Sequence, residues 1–161
     1  MEYELDSIWD LWFHSITNTS WDKSSYQKIY TINSILDYRV IIDIFKQNHY
    51  QNGMFFIMKS GVFPNWEDPS NRLGGCLSFK ISSNRLIRDW NSILLRCLKG
   101  EILKKNNNTI NGLSISPKKE FNIIKIWFSE DTNYNELYIP PDNGSEELIL
   151  DNSLYKKNMI D

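Results

Sequence analysis

The sequence predicts an α+β domain with an antiparallel sheet. Strand-like alternation recurs along the chain, and only two stretches carry helical periodicity over more than ten residues. The two kinds of segment interleave irregularly, without the βαβ rhythm that builds a parallel sheet. At 161 residues, 41% of them hydrophobic, the chain is long enough for one full core and too short for two. Residues 1–161 are therefore expected to form one domain, and no internal repeat divides it.

The elements follow in order. Leu5 to Phe13 alternates, with Trp9 and Leu11 on one side and Trp12 on the other, and reads as a strand. Ser15 to Ser25 is a polar loop holding the lone Trp21. Tyr26 to Ile32 alternates again. Ser34 with Asp37 three residues on forms a capping-box pattern that opens a helix to about Asn48, with Ile35, Tyr38, Ile42 and Phe45 at helical spacing. Met54 to Met58 is a buried strand, and Leu77 to Ile81 another. From Ser83 the positions Leu86, Trp90, Ile93, Leu94, Cys97 and Leu98 form one apolar helical face, ended near Gly100. Ile110 to Ser116 and Phe121 to Phe128 pair as a hairpin around Pro117–Glu120. Pro140 to Gly144 is a loop, and Glu147 to Leu150 is expected to be a last short strand.

Composition excludes several functions. The net charge of −2 argues against a broad nucleic-acid-binding face, whose affinity comes from many phosphate contacts, while it permits one local phosphate site. Between Arg96 and Lys125 seven basic residues face only Glu101 and Glu120; such a run serves equally well as a solvated loop. Cys76 and Cys97 form neither a CxxC pair nor a disulfide ladder, and His14 and His49 lack companions at metal-ligand spacing, so neither a metal nor a cofactor is expected. His14 and His49 read as ordinary surface or packed residues. The acidic start (Glu2, Glu4, Asp6) lacks the pattern of a signal peptide, and no apolar run approaches the roughly 20 residues that span a bilayer. The expectation is a soluble protein of the cytoplasm, with the nucleus as an additional setting, and no membrane contact.

The chemistry concentrates in Gly61-Val62-Phe63-Pro64-Asn65-Trp66-Glu67-Asp68, closed by Asn71 and Gly74-Gly75. With Trp21 it offers two indoles and one carboxylate. An indole face attracts a cationic ring by about 2 kcal/mol or more once water is excluded. A carboxylate accepts two parallel N–H bonds from the edge of guanine, which adenine cannot supply; charge-assisted bonds of this kind contribute roughly 1.5–3 kcal/mol each. The set reads as a clamp for a methylated, cationic guanine. The competing reading of Glu67-Asp68 as an acid/base pair finds no nucleophile or histidine nearby in sequence, so an enzyme is not expected. A single tryptophan in a small domain is more often core than ligand, and Trp9, Trp12 and Trp90 are assigned to the core on that ground.

The ordered set Trp9-Asp10-Leu11-Trp12-Phe13, Trp21, Pro64-Asn65-Trp66-Glu67-Asp68, Asn71, Gly74-Gly75, Gly100-Glu101, Gly112 and Ile126-Trp127 resembles the eukaryotic initiation factor four-E family, from about Leu5 to Glu130. Members bind the 7-methylguanosine cap of mRNA. The resemblance implies a curved antiparallel sheet, helices on its convex back and a cap slot on its concave face. It implies that Trp21 and Trp66 stack on the base, that Glu67 reads its edge, that the Trp66 backbone N–H bonds the guanine carbonyl, and that Trp127 packs on the methyl group. Lys118 stands where the family has a phosphate-binding arginine, with Lys119 and Lys125 as supporting cations. Partner binding is implied on the dorsal helix, at Ile35, Tyr38 and Arg39.

Four departures qualify the resemblance. Arg39 replaces the dorsal tryptophan that docks a Tyr-x-x-x-x-Leu peptide of the scaffold factor four-G or of repressors. Ile123 and Cys76 replace two phosphate-site cations. Tyr3-Glu4-Leu5 replaces His-Pro-Leu. Beyond Glu130, residues 131–161 diverge and offer no counterpart to the last long helix. The sequence-based expectation is a cap-binding protein, without enzymatic activity, that acts in translation initiation or its control. Its expected partners are capped mRNA and either a scaffold factor or a rewired partner. The alternatives are a cap-competing repressor and an interaction module on the same fold.

Overall fold

A computed structural model describes residues 4–131, 134–138 and 145–159 of the chain. Its strands are β1 (Glu4–Ser15), β2 (Gln27–Ser34), β3 (Gly53–Lys59), β4 (Gly75–Ile81), β5 (Ile110–Pro117), β6 (Asn122–Phe128) and β7 (Ser153–Lys157). They form one curved sheet in the order β2-β1-β3-β5-β6-β4-β7, every pair antiparallel. Three helices, α1 (Ile35–Ile44), α2 (Gln47–Gln51) and α3 (Leu86–Lys99), complete the α+β architecture that the sequence predicts. None of the helices among the described residues is long and apolar enough to cross a membrane.

Strand alternation divides the side chains between two faces. Leu11, Ile57, Leu113, Ile126 and Leu77 lie opposite one another in register and form a fully buried row beneath the helices. Leu86, Trp90, Ile93, Leu94, Cys97 and Leu98 of α3, the six positions expected from helical spacing, are all buried against it. Trp90 donates its indole N–H to the Tyr50 hydroxyl at 3.1 Å, which removes the cost of burying that polar group. On the opposite face a smaller cluster of Phe56, Met58, Cys76 and Trp127 forms the floor of the concave side.

Ser34 and Asp37 form the expected capping box: Ser34 Oγ accepts from the Asp37 N–H, and Asp37 accepts from the Ser34 N–H. The helix is shorter than the spacing predicts. Phe45 leaves it in extended conformation, because its ring turns inward to pack edge-on against Phe55 at 5.3 Å. The chain then resumes as α2. Of α1, Ile41 alone is fully buried, and Leu36, Val40 and Ile44 remain exposed along one stripe.

Two further expectations are corrected. The last strand is β7, not Glu147–Leu150: Leu148 is buried and the Glu147 carboxylate accepts from the Ser82 N–H and hydroxyl, so this stretch anchors to the end of β4 instead of pairing along it. Trp12 belongs to the concave face, half-buried and edge-on to Phe63 at 5.1 Å, because it alternates with the core residue Leu11. Trp9 and Trp90 are core residues as expected. The Pro140–Gly144 loop lies outside the described residues.

Candidate functional site

Residues 60–74 leave β3 as a loop whose first bend is made by Gly61, at φ 91°, a conformation costly for any residue with a Cβ. Polar side chains inside the loop hold its shape. Asp68 accepts from the Phe63 N–H at 3.1 Å and the Ser70 N–H at 2.9 Å. Asn71 is fully buried and donates to the Phe63 and Asn65 carbonyls at 3.1 and 2.8 Å. Asn111 at the start of β5 donates to Asn71 Oδ1 at 2.8 Å and to the Ser70 carbonyl at 2.7 Å, which ties the loop to the sheet. Gly74 closes it, packed so tightly on the Phe128 carbonyl that a side chain there would collide. The result is a fixed turn with Trp66 and Glu67 at its exposed tip, Trp66 47% exposed.

The tip faces a cavity of about 350 Å³ lined by Trp21, Tyr26, Met54, Phe56, Pro64, Asn65, Trp66, Glu67, Lys125 and Trp127. The sequence-predicted indoles, carboxylate and Lys125 thus come together around one space. Trp127 supplies the floor, its indole N–H donating to Ser114 Oγ at 2.9 Å. Burial, and after it the Glu67 charge, raises the Tyr26 phenol above its ordinary value. Burial also pushes the Cys76 thiol up to about 12, with the nearby Lys125 charge pulling the other way. Lys118 and Lys119 stand outside the cavity, exposed on the turn between β5 and β6. Ile35, Tyr38 and Arg39 lie on α1: Tyr38 is half-buried and donates its hydroxyl to the Asn91 carbonyl at 2.9 Å, while Arg39 is exposed.

Two residues of this region carry no signal as single positions in the sequence. His14 is fully buried, with Nδ1 2.9 Å from the Ser15 carbonyl and Nε2 2.8 Å from the Ser20 carbonyl. Its ring stacks on Trp21 at 4.2 Å and 8°, so Trp21 keeps a fixed plane although it is 57% exposed. Tyr26 packs edge-on to both His14 and Phe63. The alternation Trp12, His14 on β1 places His14 on the concave face, and that was the available signal.

A second cavity, of about 220 Å³, opens beside Trp9, Lys59, Cys97 and Asn108. Lys59 there already donates to the Asn108 carbonyl at 2.9 Å, and the walls offer one indole and no facing pair. Among the described residues no group of three or more His, Cys, Asp or Glu side chains converges as a metal site.

Comparison with known proteins agrees with this architecture. The sequence model of the family described as eukaryotic initiation factor 4E matches residues 4–140. The eukaryotic translation initiation factor 4E of Xenopus laevis is 24% identical over 139 residues, covering 83% of this chain and 65% of the relative. That of Saccharomyces cerevisiae is 26% identical over 141 residues, covering 81% and 64%. The chain therefore spans somewhat less than two thirds of the length of these relatives. Among solved structures, C. elegans eIF4E-3 in complex with the 4E-binding protein Mextli and a cap analog superposes with a TM-score of 0.73 at 16% identity, over 81% of this chain and 76% of that one. Schistosome eIF4E complexed with m7GpppG and 4E-BP gives 0.74 at 16%, over 84% and 76%. Structural likeness at such identity establishes the fold, and the family match over residues 4–140 establishes descent: the chain belongs to the eukaryotic initiation factor 4E family.

Proposed function

We propose that this protein binds the 7-methylguanosine cap of mRNA, without catalysis, and acts in translation initiation or its control. The observation that carries the reading is the convergence of Trp21, Trp66, Glu67 and Trp127 on one cavity. A cationic purine slides between the Trp21 and Trp66 indoles, attracted to both faces. Glu67, with no hydrogen-bond partner among the described residues, accepts the two N–H groups of guanine's edge, and the Trp66 backbone N–H donates to its carbonyl. Trp127 receives the N7-methyl group. Lys125, within the same cavity, faces the first phosphates, and Lys118 and Lys119 on the adjoining turn add cations. His14 backs Trp21, so one face of the stack is built before ligand arrives.

The protein partner is the second part of the reading. Arg39 stands exposed on α1 within the stripe of Leu36 (57% exposed), Val40 (38%) and Ile44 (57%). Such a surface suits a partner with an apolar helix face and an acidic residue opposite Arg39 better than the Tyr-x-x-x-x-Leu peptide, whose anchor in the resemblance is a tryptophan. The role is therefore either initiation with a rewired partner or competition for caps, and the setting is the cytoplasm. The test is retention on immobilised 7-methyl-GTP: release by free 7-methyl-GTP and not by GTP supports cap binding, and equal release by both contradicts it.

A further inference from the structure

On the proposed cap-binding reading, the cations that would follow the base need identifying, because Cys76 and Ile123 leave two phosphate positions uncharged. The sheet register supplies a replacement for each. Cys76 on β4 lies directly opposite Lys156 on β7. Ile123 on β6 lies directly opposite Lys80 on β4. Directly opposed residues of an antiparallel pair point to the same face with Cα atoms about 4.5–5.5 Å apart. Each missing charge therefore reappears one strand over, toward the β7 edge.

These lysines share the face of the cavity. Trp12, Phe56, Ser114, Lys125, Ser78 and Leu154 form one row across the concave side. Lys156 falls in the next row, with Trp127 and Cys76, and Lys80 in the row on the other side, with Ile123. Rows repeat every two residues, or about 6.5 Å, and strands every 4.8 Å or so. Lys125, Lys80 and Lys156 thus lie on one face, between the cavity and the sheet edge. Lys80 and Lys156 are exposed and have no ion-pair partner among the described residues. Lys157, one residue on, faces the other way and pairs with Asp131 at 3.1 Å. Asp151 lines the hollow that contains Lys80 and Leu154, and Glu67 lines the cavity that contains Lys125. Leu154 is 71% exposed between the two lysines, an apolar rest of the size a ribose or base can cover.

We propose that Lys80 and Lys156, continuing from Lys125, form a phosphate track for the capped RNA. They would hold the phosphate bridge and the first phosphodiester beyond it across β6, β4 and β7. The divergent C-terminal segment would then contribute directly to RNA binding through Lys156. A cationic groove that leads away from an aromatic base site is a general solution for single-stranded nucleic acid.

The experiment measures affinities of 7-methyl-GMP, 7-methyl-GTP and a capped tetraribonucleotide for the wild-type protein and the Lys80→Gln/Lys156→Gln double variant. We expect the double variant to keep wild-type affinity for 7-methyl-GMP. Its gain from added phosphates should fall about two- to tenfold, as expected for two partly solvated ion pairs. Its log-affinity against log-salt slope for the capped oligonucleotide should fall by roughly 1.4, at about 0.7 per lysine lost. An unchanged phosphate gain and salt slope overturns the track. So does an equal loss for all three ligands, which would mark the lysines as structural. Failure of the wild-type protein to bind 7-methyl-GMP better than GMP instead overturns the cap-binding reading, and the track with it.

Discussion

Glu67 is an exposed carboxylate at the tip of a loop whose other polar groups are engaged internally. Because no internal bond depends on it among the described residues, its removal tests binding without testing folding. Glu67→Gln keeps the shape, loses the charge and presents an amide where two acceptors are needed. It should weaken 7-methyl-GTP binding by about 1.5–3 kcal/mol with an unchanged melting temperature, measured by fluorescence titration and thermal denaturation. Wild-type affinity would assign Glu67 no part in reading the base. Trp21, Trp66 and Glu67 were legible as candidates because they stand in polar or Pro/Gly-rich loops with no periodic partner. His14 was not, because a lone histidine in an alternating strand gives no sign of its stacking partner seven residues on, beyond a loop that folds back to meet it. Trp12 was misread for a related reason. In a sheet with aromatic side chains on both faces, alternation states that two residues face opposite ways and not which face is the core.

At the scale of the element, the capping box of α1 was plain in Ser34 and Asp37 and is present. Burial alone would raise the Asp37 carboxyl, but the Asn33 and Ser34 N–H groups and the Tyr30 and Ser34 hydroxyls together hold it below its ordinary value. A carboxyl depressed in the folded state adds stability that is complete above its unfolded value of 3.8 and is lost as pH falls through the folded value. Ser34→Ala should therefore cost about 1 kcal/mol at neutral pH, and Asp37→Asn should flatten the acid limb of the stability curve below pH 4 or so; both are read by denaturant unfolding against pH. The dorsal face of the same helix gives a second prediction. A Tyr-x-x-x-x-Leu peptide should bind the wild-type protein weakly, and Arg39→Trp should improve it by about 2 kcal/mol or more, roughly thirtyfold, in a peptide titration. Tight binding by wild type, unchanged in the variant, would show that this face keeps the peptide site without a tryptophan. Two elements escaped the sequence. Phe45 breaks the helix by turning to a ring partner that is remote in sequence. In β7, a short edge strand, Leu154 and Lys156 point outward, so hydrophobicity does not mark it; the more apolar Glu147–Leu150 was favoured in its place.

For the molecule as a whole, the order of strands was beyond the sequence, since alternation predicts strands and leaves their neighbours open. Only the β5–β6 hairpin followed from proximity along the chain. The core face of α3 was fully legible because its six apolar positions keep helical spacing without interruption. Trp90→Ala, which would empty the centre of that core and leave the Tyr50 hydroxyl without its partner, should cost about 3–5 kcal/mol in denaturant unfolding. The net charge of −2 and the few lysines of the concave face fit a protein that would hold RNA through a base clamp and a few phosphates. Such a protein should discriminate by methylation more than by charge. The most direct measurement is a fluorescence titration of the wild-type protein with 7-methyl-GTP and with GTP at one salt concentration. Two indoles that stack on a cationic base predict strong quenching and an affinity for the methylated nucleotide at least about thirtyfold higher, equivalent to 2 kcal/mol or more. Equal affinities for the two nucleotides would contradict the account.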